Sequence, residues 1–243
     1  MSGLERLPAA GWAELLLDAG TAAVTSDAPA IHDPLAWPGY ADRVAAEPDE
    51  ALVVFDGRCG GHPVVLAAFD FTVLGGSMGT EVGRRLRAGY DRARALAVPV
   101  VVLSCTGGAR MQEGMRSLVQ MPAVVAAALD HAAAGLLQLA IAAHPTTGGV
   151  HASAVGVADV VVTEPGAYMS FAGPRVAAAL GDAASSARAD GGSAGALAAA
   201  GQVDAVVPRE ELAGWLARVL AVAAPDDPVL APTGVSGGPS GGR

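Results

Sequence analysis

Three times in this chain a pair of glycines stands in a turn between an apolar, strand-like run and a helical pattern, at Gly75-Gly76, Gly107-Gly108 and Gly148-Gly149. Strands that alternate with helices argue for an α/β architecture with a largely parallel sheet. Ala51 to Phe55 and Pro63 to Phe71 read as adjacent strands across the turn-rich Asp56 to His62. Phe69 to Leu74 leads into the first glycine pair, and a helix is expected from about Thr80 to Ala97, with Val82, Leu86, Tyr90, Ala93 and Ala97 on its apolar face. A buried-type strand, Pro99 to Ser104, reaches the second pair, and a helix from about Ala109 follows, bent at Pro122. Leu136 to Ala143 is the third strand; the turn Pro145 to Gly149 and a small-residue helix to about Ala158 come after it. Val160 to Thr163, a short strand Ala205 to Pro208 and a helix from Glu210 to Val222 complete the pattern. Residues 1–50, with an amphipathic piece at Trp12 to Asp18, read as an N-terminal arm, 51–223 as the core domain, and the Pro-, Gly- and Ser-rich 224–243 as a disordered tail.

Composition limits the function classes. With 52% hydrophobic residues in 243, the chain can bury one substantial core, which excludes a disordered or disulfide-stapled class. Its apolar runs are broken well short of the ~20 residues a bilayer span needs, so no membrane role is expected. The first ten residues hold no signal-peptide core, and the expected compartment is the cytoplasm. A net charge of -9, with the only basic cluster at Arg84, Arg85, Arg87, Arg92 and Arg94, argues against nucleic acid. All 15 basic residues are arginine, which removes Schiff-base chemistry and a Walker lysine. Cys59 and Cys105 form no CxxC pair, so no metal site is expected in this chain.

Glycine lets backbone approach a ligand, and a helix start offers unpaired N–H groups, so such a turn can hold an oxyanion by backbone alone. The rival reading of each pair is ordinary turn punctuation. Side chains offer little else: no GxSxG elbow, HExxH helix or Walker loop is present. Ser104 or Cys105 could be a nucleophile, against the commoner fate of a buried strand end. His144 and His151 flank the third turn as possible acid–base groups, or as structural histidines. Arg110 and Glu113 read as scaffolding.

Four ordered motifs carry a resemblance: Gly75-Gly76-Ser77-Met78-Gly79; Ser104 to Glu113 (SCTGGARMQE) with Ser117 to Met121; Pro145 to Val150; and Phe171-Ala172-Gly173-Pro174-Arg175. In order and spacing, from about Trp12 to Leu220, they resemble the β subunit of bacterial acetyl-CoA carboxylase carboxyltransferase. The resemblance implies the crotonase-like fold of repeated ββα units and transfer of a carboxyl group from carboxybiotin, borne on a separate carrier protein, to acetyl-CoA, giving malonyl-CoA. It implies that the backbone amides of Gly107 and Gly108 hold the thioester enolate, and that biotin's ureido nitrogen takes the proton. By the same likeness Gly75, Gly76, Ser77, Met78, Gly148, Gly149, Phe171 and Gly173 shape the acyl-CoA pocket. The implied partners are an α-type carboxyltransferase subunit, biotin carboxylase and biotin carboxyl carrier protein, in a hetero-oligomer such as α2β2. The family usually carries an N-terminal four-cysteine zinc ribbon, whose cysteines are not among these 243 residues, and His144, Thr147 and His151 stand where the family usually has Asp, Met and Ser. Two rivals follow: a malonyl or carboxyacyl thioester decarboxylase in which His144 or His151 delivers the proton, and a non-catalytic scaffold subunit.

Overall fold

The computed structural model describes residues 4–47, 49–171 and 192–223. In chain order they form α1 (Ala9–Leu16), β1 (Ala23–Val24), α2 (Tyr40–Ala46), β2 (Leu52–Cys59), β3 (His62–Phe69), α3 (Thr80–Leu96), β4 (Val100–Thr106), α4 (Met115–Ala133), β5 (Gln138–Thr147), α5 (Gly148–Val150), β6 (Val160–Thr163), β7 (Met169–Ser170), α6 (Ala194–Ala199), β8 (Ala205–Val206) and α7 (Leu212–Ala223). The strands make one mixed sheet in the order β1-β2-β3-β4-β5-β6-β8, with β7 beside the end of β5. From β3 onward the neighbours run parallel, while β1 and β2 are antiparallel. Gly60 (φ 58°) and Gly61 (φ 83°) close the β2–β3 hairpin with the left-handed pair that matches strand twist.

Period-two alternation splits the strands between two layers. Val101, Leu103 and Cys105 of β4 join Trp12, Leu16 and Leu216 under α1 and α7. Val100 and Val102 pack with Leu86, Tyr90 and Val124 under α3 and α4. Residues 1–50 thus contribute α1, whose Ala9, Trp12, Ala13 and Leu16 lie in the first of these layers. Each large side chain buried this way contributes ~1.5–3 kcal/mol, and both faces of the parallel strands are covered. The α/β architecture read from the sequence is the one observed.

Several boundaries differ for local reasons. The helix after the second glycine pair starts at Met115 rather than near Ala109, because a 3-10 turn over Met111–Glu113 and Gly114 at φ 57° intervene. Pro122 lies inside α4. The third strand does not stop at Ala143. It continues to Thr147, since Thr146 pairs with Thr106 of β4 and donates its hydroxyl to Ser104 O (2.7 Å). The small-residue helix after it is one turn, α5, running into a π-helical turn over His151–Val155. The tail 224–243 lies outside the described residues.

Candidate active site

The three glycine pairs sit at the carboxyl ends of β3, β4 and β5, three adjacent parallel strands, where open α/β sheets bind ligands. Leu74, Gly75 and Gly76 are all left-handed, at φ 46°, 66° and 63°. A Cβ on Gly76 would stand 2.1 Å from Cys105 O, so only glycine lets the first turn lie against the second. The segments then run side by side: Gly107 N–H donates to Gly75 O (2.9 Å), Met78 N–H to Gly108 O (2.8 Å) and Arg110 N–H to Met78 O (2.9 Å). Gly108 (φ 100°) meets the third turn, where a Cβ on Gly148 would fall 2.9 Å from Gly108 Cα. A Cβ on Gly149 would meet Met121 Sδ at 2.0 Å. The turns are thus one backbone cradle.

Neither amide named from the sequence as an oxyanion donor lacks an acceptor. Gly107 N–H is taken by Gly75 O, and Gly108 N–H by Thr106 Oγ1 (3.0 Å). The Thr106 hydroxyl itself donates to Gly76 O (2.5 Å), and Thr147 Oγ1 donates to Thr106 O (3.1 Å).

Behind the cradle lies a buried ion cluster. Arg110, 1% exposed, makes a fork to Glu50 (3.0 and 2.6 Å) and reaches Ser77 Oγ (3.1 Å), Ser77 O (2.8 Å) and Tyr40 OH (3.3 Å). Burial opposes its charge, but the Glu50 carboxylate outweighs that and holds the guanidinium above its ordinary range. Glu113 accepts from Tyr40 OH (2.9 Å) and from both the N–H and hydroxyl of Thr80 (2.6 Å each), which fixes the start of α3. Burial pushes the Tyr40 phenol up to about 12, against the pull of Arg110. Arg110 and Glu113, 3.5 Å apart, therefore tie the first and second turns to α2 and α3, as the scaffolding reading has it. Glu50 escapes sequence reasoning: in the acidic stretch Glu47 to Glu50, 60 residues upstream of Arg110, nothing local singles it out.

The remaining candidates fall as follows. Ser77 donates to Leu74 O (2.9 Å), whereas the Met78 side chain is fully buried in the α3-side core. Burial raises the Cys105 thiol to about 12, and it donates to His144 O (3.0 Å), both of which disfavour the thiolate that an attack would need. Ser104 is fully buried. Burial, then Arg6, lowers the His144 pKa, and burial alone lowers that of His151, which stands in the π-helical turn. Phe171 is 71% exposed, and Gly173 lies outside the described residues. Four of the five α3 arginines face acids: Arg84 and Arg85 pair with Glu81, Arg92 with Asp56 and Arg94 with Asp91, while Arg87 donates to Gly83 O (3.2 Å). Beside the cradle, Met111 (75% exposed), Met115 (71%), Leu118 and Val119 form an apolar surface, with Leu35 against Gly114. Among the described residues no three His, Cys, Asp or Glu side chains group as a metal site, and no helix is long and apolar enough to cross a membrane.

Known proteins resemble this chain in sequence and in fold. The β subunit of acetyl-coenzyme A carboxylase carboxyl transferase from Sorangium cellulosum is 40% identical over 223 residues, covering 88% of this chain and 78% of that protein. The same subunit from Desulforudis audaxviator is 41% identical over 197 residues, covering 79% and 70%. Among solved structures, the transcarboxylase 12S hexamer core with hydrolysed methylmalonyl-coenzyme A superposes with a TM-score of 0.75 at 27% identity, over 88% of this chain but only 41% of that one. A Pseudomonas malonate decarboxylase hetero-tetramer with malonate gives 0.74 at 26%, over 90% and 85%. Residues 38–231 match the family described as Carboxyl transferase domain, and with its glycine cradle in the crotonase-like fold this chain belongs to that family.

Proposed function

We propose that this chain is the β-type carboxyltransferase subunit of a biotin-dependent acyl-CoA carboxylase, making malonyl-CoA from acetyl-CoA or acting on a related acyl thioester. The observation that carries the reading is the backbone cradle of three glycine turns, in a chain matching acetyl-coenzyme A carboxylase β subunits along most of its length. Removing a proton from the methyl carbon of the thioester places negative charge on one oxygen. That oxygen is a stronger acceptor than the Gly75 carbonyl or the Thr106 hydroxyl, so it shares or takes over the N–H groups of Gly107 and Gly108. Each preorganised donor of this kind is worth ~3 kcal/mol in the transition state. Carboxybiotin, on its carrier protein, supplies the activated carboxyl group and the base. The turns at Gly75 to Met78 and Gly148-Gly149, with Phe171, wall the acyl-CoA side.

The biotin side falls to an α-type subunit seated on the Met111, Met115, Leu118 and Val119 surface, within a complex that includes biotin carboxylase and the carrier, in the cytoplasm. Supply of malonyl units to fatty acid or polyketide synthesis fits this product.

The test is carboxyl transfer run backwards, with malonyl-CoA and free biotin given to the chain with and without an α-type subunit. Loss of malonyl-CoA that needs both biotin and the partner supports the reading. Biotin-independent loss abolished by His151→Ser would replace it with the decarboxylase, the second reading, which the likeness to malonate decarboxylase keeps in view.

A further inference from the structure

Thr106 is the last residue of β4, fully buried, and its hydroxyl stands between two glycine turns distant in sequence. It gives its single proton to Gly76 O (2.5 Å) and turns a lone pair to the Gly108 N–H (3.0 Å). Both contacts fall on glycine backbone, and they add a side-chain bond to the backbone bonds that already join these turns, Gly107 N–H to Gly75 O and Met78 N–H to Gly108 O. Gly76 (φ 63°) and Gly108 (φ 100°) have no side chains to fix their peptide planes, and glycine explores more φ, ψ space than any other residue. Thr106 is itself held through its carbonyl, which accepts from Thr147 Oγ1 (3.1 Å) at the end of β5. The branched Cβ restricts χ1, so the hydroxyl direction is set by the strand rather than chosen by the turn.

We infer that Thr106 is the positioning residue of the thioester site. Its hydroxyl adds a side-chain tie between the first and second turns, whose register is set by backbone bonds, and keeps the Gly108 N–H aimed and occupied by a weak, neutral acceptor that a thioester oxyanion displaces. The inference rests on the proposed oxyanion role of Gly108. Thr106 touches the reacting atoms only through that amide. Its effect therefore lies in the transition state, where charge reaches the oxygen, and not in ground-state binding of the acyl-CoA.

The experiment compares wild type, Thr106→Val and Thr106→Ser in two measurements. In biotin-dependent turnover of malonyl-CoA with the α-type subunit, Thr106→Val is expected to lose on the order of 10- to 100-fold in kcat with KM little changed, the size of effect that misplacing a reactive group produces. Thr106→Ser keeps the hydroxyl and is expected to retain most of the activity. In the full ¹⁵N-labelled chain alone, hydrogen exchange at the Gly108 amide is expected to speed up at least about tenfold in Thr106→Val and to stay near wild type in Thr106→Ser. Wild-type kcat in Thr106→Val, equal loss in both variants, or unchanged Gly108 exchange overturns the inference. If wild type shows no biotin-dependent turnover, the proposed function fails by itself, and the exchange comparison still decides whether Thr106 holds the Gly108 amide. Should Thr106→Val not fold, Thr106→Ala takes its place with the same expected outcomes.

Discussion

Gly75 and Gly76 are neighbours with almost the same φ, 66° and 63°, yet nothing lies within 4 Å of a Cβ built on the first, while one on the second meets Cys105 O at 2.1 Å. Alanine at either position bears left-handed strain of ~1–2 kcal/mol. Restricting the unfolded chain offsets ~0.4–1 kcal/mol of that. Gly75→Ala should therefore destabilise by no more than about 1.5 kcal/mol. Gly76→Ala carries the same strain and must also push the first turn off a backbone carbonyl that cannot rotate away, an overpacking cost of ~1–3 kcal/mol. The difference between the variants, about 1–3 kcal/mol by that reckoning, isolates the close approach of the two turns. Equilibrium urea unfolding followed by circular dichroism measures it, provided both variants keep the wild-type m value. Equal destabilisation within about 0.5 kcal/mol would refute the claim that glycine is required at residue 76 for turn-on-turn packing. Because Gly75 O is the acceptor for Gly107 N–H, Gly76→Ala should also impair turnover more than Gly75→Ala does.

Arg110→Met leaves Glu50 buried without its partner and should cost ~3–5 kcal/mol in the same urea assay, with part recovered in Arg110→Met/Glu50→Leu. No recovery in the double variant would show that the pair is not a self-contained unit. Acidification should destabilise the fold below about pH 6.5. Burial holds His131, His144 and His151 below the ordinary imidazole pKa, so the unfolded chain binds protons first and stability falls as pH drops through that window. Thermal melts between pH 7.5 and 5 check the sign, and a flat or rising melting temperature on acidification contradicts it. Met115→Glu and Val119→Glu should leave the chain's own stability within ~0.5 kcal/mol while weakening titrated binding of the α-type subunit at least about tenfold. Undiminished affinity would place the partner elsewhere.

The glycine pairs are legible in sequence because a turn packed backbone against backbone admits no other residue, as Gly76 and Gly148 show. The strands leading to them are equally legible, since parallel strands covered on both faces read as unbroken apolar runs such as Val100 to Leu103. The end of β5 is not: His144 to Thr147 is polar and contains a proline, and it becomes strand only through the pairing of Thr146 with Thr106. Nor is the start of α4, where the apolar spacing continues through Gly114 although that residue is left-handed. Arg110, Glu50 and Tyr40 are 60 and 70 residues apart in sequence and meet only in the folded chain, so no window of sequence reveals the cluster that braces the site. The engagement of the Gly107 amide is likewise a tertiary fact, set by the first turn, whereas the Gly108 amide is taken locally, by the threonine two residues before it.

The central claim is that backbone N–H groups of the second turn polarise a thioester carbonyl. The direct measurement is the infrared stretch of the thioester carbonyl in ¹³C-labelled acetyl-CoA bound to this chain with its α-type subunit. The neutral carbonyl shares the Gly107 and Gly108 donors with Gly75 O and Thr106 Oγ1, which weakens its C=O bond, so the band should lie below its position in water and move back toward it in Gly108→Ala. A band at the aqueous position, unchanged by that substitution, would contradict the account.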